Sequence, residues 1–210
     1  MRFIASTLVL ALIGVAQVQS HGYLKEPIAR TSIQLRPEFN TQQPYWWDNT
    51  GVWCANANQD LQYSTCGRCG EQQGNSDASQ NGIYDKNVIV ATYTAGSIVD
   101  IVSNFQAAHH GYFQVELCAS ETETDNCFTV LPIVGGSEEV RNGNRLCVPY
   151  DNNATQDLVA RVQLPAGVRC NRCTIRWTYR TSYPGPSGWE SCDNPRPAQT
   201  FRNCADVRIQ

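Results

Sequence analysis

With 210 residues, 41% of them apolar, the chain is long enough for one domain with a full hydrophobic core. Its formal net charge of -3 argues against a nucleic-acid partner, because phosphate binding requires a basic surface. The mild acidity is compatible with an uncharged partner.

Residues 1–20 are typical of a secretory signal peptide. Met1 and Arg2 give a positive start, a mostly apolar run follows, and Val18-Gln19-Ser20 is suited to cleavage after Ser20. The apolar run is too short to span a membrane. We therefore expect a secreted, extracellular protein with no membrane partner, whose single domain covers 21–210.

The segment from Gly22 to Asp85 is rich in Asn, Gln, Gly and Pro and has a weak strand signal. It predicts a long loop region stapled by disulfides, and such a region in a compact domain usually carries function. Its aromatic side chains either stack on sugar rings or form a small core beneath the loop. They are Tyr45, Trp46, Trp47 and Trp53.

From Lys86 onward, short apolar or β-branched runs alternate with turn signals. This rhythm predicts an antiparallel β-sandwich of the immunoglobulin or fibronectin type III class, and the absence of βαβ alternation argues against a parallel sheet. In the third run, Phe113, Val115 and Leu117 should share one face. The predicted strands are Asn87–Tyr93, Ser97–Ser103, Tyr112–Cys118, Cys127–Val134, Leu158–Leu164, Thr174–Thr181 and Ala205–Ile209.

Ten cysteines, an even number, predict up to five disulfides in an oxidising compartment. Two C-x-x-C pairs, Cys66 with Cys69 and Cys170 with Cys173, have the spacing of zinc knuckles. Because the chain is expected to be secreted, we favour disulfides over zinc at these positions.

The full disulfide connectivity does not follow from the sequence. Loop closure between neighbouring strands favours two local pairs, Cys118–Cys127 and Cys192–Cys204. Asn153 begins an N-x-T glycosylation sequon, which also fits secretion.

Cleavage after Ser20 would change the chemistry of His21, because a first-residue histidine carries a free α-amine beside its ring nitrogens. The only other histidines, His109 and His110, are adjacent, and either would supply a third nitrogen. Three nitrogens in a tetragonal arrangement favour copper(II). The α-amine has a reference pKa of about 7.7–8.0, so copper can displace its proton near neutral pH.

Three segments in order resemble the copper-dependent lytic polysaccharide monooxygenases, most closely the invertebrate type, auxiliary-activity family fifteen. Together they extend over the whole mature chain, which makes the resemblance specific. They are His21-Gly22-Tyr23 with Pro27, the AAHHGYF segment at 107–113, and the QTFRNCADV segment at 199–207.

The resemblance implies a role for each site residue. Matching on Gly111 and the two residues after it places the second histidine ligand at His109 rather than His110. Phe201 falls beside the metal, where many members of this type have tyrosine, and its phenyl ring cannot ligate but would close one axial face. Gln199 is implied as a polar group that hydrogen-bonds an oxygen species at the site.

The resemblance further implies a monomeric enzyme that holds one copper ion and oxidatively cleaves β-1,4-linked polysaccharide, chitin first and cellulose second. It implies an external electron donor and hydrogen peroxide or dioxygen as the oxidant. The alternative is a non-catalytic chitin-binding or copper-binding protein on the same fold. Hydrolase motifs such as G-x-S-x-G and H-E-x-x-H do not occur in the chain.

Overall fold

A computed structural model describes residues 21–41, 53–56, 66–72, 74–151, 154–181, 192 and 199–210, with only the backbone described for His21, for Trp53–Asn56 and for Gln199. The strands within these ranges are β1 (His21–Glu26), β2 (Trp53–Asn56), β3 (Ala91–Tyr93), β4 (Ile98–Ala107), β5 (Gly111–Cys118), β6 (Phe128–Val130), β7 (Ile133–Gly136), β8 (Val140–Arg141), β9 (Arg145–Val148), β10 (Gln156–Gln163), β11 (Cys170–Thr181) and β12 (Gln199–Ile209).

The strands form two sheets, which confirms the predicted β-sandwich. One sheet has the order β1-β4-β10-β7, and the other has the order β2-β12-β11-β5-β9-β8, with β3 added on β12 and β6 on β5. All described pairings are antiparallel except β3 with β12, which is parallel. The expectation of an antiparallel sandwich therefore holds with this one exception.

The core between the sheets is rich in aromatic rings. Phe113, Val115 and Leu117 on β5 are buried, as their alternation predicts. Phe105 from β4 lies 6.2 Å from Phe113 and 6.1 Å from Trp177 of β11, measured between ring centroids. These contacts join the two sheets beneath one end of β4.

The predicted strand Cys127–Val134 is divided in two by the structure. Its first part, β6, pairs with β5, while its last part begins β7, which pairs with β10 in the other sheet. The chain crosses between sheets at Leu131 and Pro132, and proline has no N–H with which to continue a ladder. The apolar run was read correctly as extended, but its change of sheet was not predicted.

β1 is the most important strand that the sequence did not predict. It lies at the start of the polar segment and is formed by pairing with β4, which extends beyond its predicted end to Ala107. Two short 3-10 helices, Arg30–Leu35 and Pro37–Phe39, follow it. In the described part of the chain, no helix is long and apolar enough to cross a membrane.

The disulfides confirm the preference over zinc. Cys170 pairs with Cys173, and Cys66 is also disulfide-bonded. The local pair Cys118–Cys127 is confirmed.

The pair Cys192–Cys204 is wrong. Cys204 pairs with Cys69 and Cys192 pairs with Cys147. The Cys204 side chain lies on the β12 face that the 66–85 segment covers, so its nearest cysteine is 135 residues away in sequence.

Candidate metal centre

β1 carries residue 21 to the end of β4. The two strands are antiparallel, with His21 opposite Ala107, two positions before His109. Gly22 lies against the core, since a Cβ atom there would be 2.8 Å from the Phe105 ring and 3.3 Å from the Tyr179 ring. Glycine therefore allows the backbone beside residue 21 to rest directly on these rings.

A buried amide also holds β1 from the opposite sheet. Oδ1 of Asn203, on β12, accepts a hydrogen bond of 2.9 Å from the backbone N–H of Leu24. Both residues are buried. The first strand is thus fixed to β4 by backbone pairing and to β12 by a side chain, which defines the position of residue 21.

His109 follows β4 and is 1% exposed. The Tyr179 hydroxyl donates a hydrogen bond of 2.5 Å to its carbonyl oxygen and accepts one of 3.1 Å from its backbone N–H. Tyr179 is itself fully buried on β11. One side chain therefore satisfies both backbone polar groups of His109 and fixes its place in the interior.

The turn that contains the two histidines is held at both ends. Before it, Ala108 and Asp151 exchange backbone hydrogen bonds of 2.8 and 2.9 Å. After it, Gly111 has φ of 151°, and a Cβ atom there would lie 1.9 Å from the carbonyl oxygen of Arg180. Glycine is required here because β5 and β11 approach too closely for any side chain.

The two adjacent histidines have different surroundings. His109 is buried, whereas His110 is half-buried and stacks on the exposed ring of Tyr150, with centroids 5.7 Å apart and planes at 23°. The structure thus places the two rings in distinct environments, one interior and one facing outward.

Phe201 lies in the same cluster of rings. It is 1% exposed and stacks on Tyr179 at 5.7 Å with planes at 21°. Gln199 is the first residue of β12 and is paired with Asn56, and its side chain lies outside the described residues. The structure therefore brings His109 and Phe201 together through Tyr179, and β1 brings the backbone of His21 to the same end of the sandwich.

Tyr179 and Asn203 are site residues that the sequence reasoning missed. Tyr179 lay within the predicted strand Thr174–Thr181, on the same face as Ile175 and Trp177. A buried tyrosine needs a hydrogen-bond partner, which is a signal that it has a structural role, but the partner itself is 70 residues away.

A separate group of ligand-type atoms does not form a metal site. Cys69, Glu123 and Cys204 lie close together among the described residues. Because the two cysteines form a disulfide, they have no thiolate to offer a metal. Within the described parts of the chain, the histidine end of the sandwich is the candidate metal centre.

Comparison with known proteins defines the class. Residues 21–207 match the family described as lytic polysaccharide mono-oxygenase, cellulose-degrading. The chain belongs to this family and is a copper-dependent, polysaccharide-oxidising enzyme that works with an external reductant.

Solved structures define the type within the family. The chain is similar to a lytic polysaccharide monooxygenase of type AA15 from Thermobia domestica, solved in its Cu(I) state, at 29% identity and TM-score 0.71, over 90% of this chain and 98% of that one. It is a copper enzyme of the AA15 type. More distant structures share the fold alone.

The more distant structures include a monooxygenase important for chitin utilization in Cellvibrio japonicus. It has 14% identity and TM-score 0.52 over 90% of this chain and 99% of that one. An AA10 enzyme from Streptomyces lividans has 16% identity and TM-score 0.50 over the same shares of the two chains.

The chemistry of the donor set fits copper. Imidazole nitrogen is a preferred ligand of copper, and His109 presents an imidazole in a fixed, buried position. Among the residues that the structure describes there is no free cysteine, so none of these cysteines offers a thiolate that competes for the metal. A phenyl ring at Phe201 adds bulk without adding a ligand.

Proposed function

We propose that this protein is secreted and cleaves a β-1,4-linked polysaccharide by oxidation, acting on chitin first and cellulose second. The observation that carries the proposal is the pairing of His21 with Ala107. It fixes the backbone of residue 21 beside a strand position that precedes the buried His109 by two residues. Residues 1–20 are a signal peptide, and its removal makes His21 the first residue of a single domain.

In this proposal, His21 and His109 hold one copper ion. His21 contributes its α-amine and a ring nitrogen, and His109 contributes a ring nitrogen. His109 is chosen over His110 because Tyr179 fixes its backbone in the interior, while His110 stacks on an exposed ring. The fixed backbone reduces the conformational entropy that the ligand loses on binding metal.

Phe201 and Gln199 shape the surroundings of the ion. Phe201 packs on the tyrosine that holds His109, so its ring would lie beside the ion and shield it without ligating. Gln199 precedes it by two residues on β12, and alternate residues of a strand share a face. We assign Gln199 a hydrogen bond to the oxidant.

When bound, copper would supply one-electron redox chemistry for hydroxylating a glycosidic carbon, after which the chain breaks. Hydrogen peroxide would need the external reductant only to reduce the copper and would leave water, whereas dioxygen would take up two electrons from the reductant and two protons and also leave water. The protein's own residues position the ligands and exclude water from the inner side of the site. His21 is the first residue of the first strand, and we infer that the site it forms is open to a flat, crystalline substrate.

The test uses mature, copper-loaded protein that begins at His21, with ascorbate and either chitin or cellulose. Mass spectrometry of the soluble products should find oxidised oligosaccharides, first from chitin. If only cellulose yields them, the substrate order is reversed. Copper binding without oxidised products from either polymer would favour the non-catalytic alternative and overturn the proposed activity.

Two variants test the ligand set. One additional residue before His21 should remove the amine ligand and weaken copper binding by more than about a hundredfold, beyond the effect of losing an outer hydrogen bond. His109→Ala should do the same, with His110→Ala as the matched control that keeps the three-nitrogen paramagnetic resonance signature. Loss of that signature in His110→Ala alone would move the ligand by one position.

A further inference from the structure

The Asn203 side chain contacts a backbone group on the outer side of β1. This strand is at the edge of the four-stranded sheet, and among the described residues it pairs only with β4. The Leu24 N–H donates to Oδ1 of Asn203 instead of to a neighbouring strand. Because both residues are buried, loss of this acceptor would leave the N–H without a hydrogen bond in the interior, which is costly.

The ladder between β1 and β4 is too short to fix β1 by itself. Regular pairing covers Gly22, Tyr23 and Leu24. The register is irregular on both sides of this run, between His21 and Gly22 and again between Leu24 and Glu26. Register in an antiparallel pair also depends on which side chains face the core, since a slip of one residue turns every side chain to the other face. The position of His21 thus depends on contacts beyond the ladder.

Two contacts specify the register of β1. Backbone N–H groups point alternately to the two sides of a strand, so a one-residue slip would leave Asn203 Oδ1 without a donor. A two-residue slip in one direction would put Leu24 in the place of Gly22, where a Cβ atom is 2.8 Å from the Phe105 ring. A slip in the other direction would leave a cavity where the Leu24 side chain is buried.

β12 connects this contact with the second histidine. Phe201 precedes Asn203 by two residues, so both side chains lie on the inner face of the strand. Phe201 stacks on Tyr179, and Tyr179 holds the backbone of His109 by two hydrogen bonds. The same region of one strand therefore contacts both β1 and the residues around His109.

We propose that Asn203 is a positioning residue for the metal centre, because its amide fixes the register of β1 and so the place of the His21 backbone nitrogen. The inference rests on the proposed function, since it requires His21 to be the first residue and a ligand. A working site holds its groups within about 0.5 Å, whereas a slip of one strand residue moves the backbone by about 3.3 Å.

The test uses the mature protein that begins at His21 and variants of residue 203. Asn203→Leu keeps the approximate size but removes the acceptor, so the copper dissociation constant should rise about tenfold and the copper(II) resonance spectrum should change. Asn203→Asp keeps an oxygen in the same place. It should lose stability, because it buries a carboxyl group, yet keep the wild-type copper affinity and spectrum. If Asn203→Leu does not fold, Asn203→Ala takes its place.

Asn104→Leu is the matched control. Asn104 is also buried and lies on β4 opposite Tyr23, but its amide donates a hydrogen bond of 2.7 Å to the Asp157 carboxylate. The same substitution there should keep the wild-type copper affinity and spectrum. If Asn203 had only a structural role, the spectrum would follow stability and would not follow the presence of the acceptor.

Amide hydrogen exchange of the copper-free protein gives a second readout. Exchange at the Leu24 N–H should be about tenfold faster in Asn203→Leu than in Asn104→Leu, and should stay slow in Asn203→Asp. This measurement reports on the hydrogen bond without any contribution from the metal.

Three outcomes would overturn the positioning role. They are a wild-type copper affinity and spectrum in Asn203→Leu, an equal change in Asn104→Leu or Asn203→Asp, and unaltered exchange at Leu24 in Asn203→Leu. Failure of the proposed ligand set would show in the wild type instead. The three-nitrogen signature would be missing, or one additional residue before His21 would leave it unchanged.

Discussion

The two faces of β12 are covered in different ways. Both are buried from Thr200 to Val207, but the inner face carries Phe201 and Asn203, which contact the ring cluster and β1. The outer face carries Cys204 and Asp206, which hold the 66–85 segment and the first 3-10 helix by a disulfide and ion pairs.

The difference follows from what covers each face. A second sheet covers the inner face, and ring packing with a few neutral hydrogen bonds is sufficient there. Loop segments cover the outer face, and they bury too little apolar surface to stay in place unaided. The outer face therefore uses covalent and ionic contacts, while the candidate metal centre lies on the neutral inner face of the same strand.

Arg30 is the centre of the ionic contacts. Its guanidinium binds both oxygens of Asp206, at 2.6 and 2.8 Å, and Glu123 at 2.9 Å, and all three side chains are buried. Burial lowers the pKa of this guanidinium, but the hydrogen bonds and charges of Asp206 and Glu123 outweigh burial and raise it. The Arg30 group therefore stays charged in the interior.

Among changes to a single polar contact, the largest effect on stability is expected from breaking this outer cluster. Arg30→Met would leave buried carboxylates without their main partner and should lower the free energy of unfolding by about 3 kcal/mol. This value is near the low end for a broken buried ion pair, because Arg172 still contacts Asp206. Urea melts provide the measurement. The copper(II) spectrum of the folded variant should match the wild type.

Lys25→Met is the control for this prediction. Lys25 pairs with Asp157, but both side chains are well exposed, so its loss should cost at most about 1 kcal/mol. Equal losses in the two variants would show that burial does not distinguish the pairs. An altered copper spectrum in Arg30→Met would show that the two faces are coupled.

Removing one hydroxyl from the inner face should have a smaller effect on stability and a larger effect on the metal. Tyr179→Phe leaves the N–H and C=O of His109 buried without their hydroxyl partner, which should cost about 1–3 kcal/mol. Copper affinity should fall about tenfold, within the range for losing a group that orients a ligand. Calorimetric titration with copper and urea melts measure the two effects.

Tyr93→Phe is the matched hydroxyl deletion away from the site. Tyr93 lies on β3, opposite Ile209, and burial raises the pKa of its hydroxyl to about 12. This variant should keep wild-type copper affinity. If Tyr179→Phe also keeps it, the hydrogen bonds to His109 do not position the ligand.

These contacts explain how far the sequence could predict the molecule. Alternation within one run identified β5 and its buried face, because that pattern is local. The resemblance predicts His109 and Phe201 as site residues by their motifs, and these assignments stay predictions. The Arg30–Asp206 pair, the Tyr179–His109 hydrogen bonds and the Cys69–Cys204 disulfide join residues 70 or more positions apart, and no local pattern encodes such pairings.

The outer face should also give the protein an acid-sensitive component of stability. Burial raises the pKa of the Asp85 carboxyl, but hydrogen bonds from Arg172 and from the backbone N–H groups of Asn81 and Asn87 outweigh it, so that the pKa falls below its ordinary value of 3.8. This contribution is therefore fully present above about pH 5 and is lost as the pH falls through the lowered pKa.

Asp85→Asn should remove this pH dependence. The stability difference between wild type and variant, measured by urea melts at a series of pH values, should be constant near neutrality and should shrink progressively below about pH 4. Comparing the two proteins at each pH cancels the contribution of copper. A difference that does not shrink in acid would mean that the Asp85 carboxylate does not stabilise the fold through its charge.

The smallest change to the inner face is Phe201→Tyr, which adds one oxygen atom to a ring that is stacked on Tyr179. The ring is buried, so the added hydroxyl needs a polar partner, and the metal would be one. If the hydroxyl reaches the metal, the unfolding free energy should change by less than about 1.5 kcal/mol. The copper(II) resonance spectrum should change, since an oxygen would then stand at the axial position. Phe201→Ala gives the contrast, because truncating a buried phenylalanine costs about 3–5 kcal/mol and opens the axial face to water. An unchanged spectrum in Phe201→Tyr, together with unchanged stability, would place Phe201 away from the metal and leave its packing on Tyr179 as its only role.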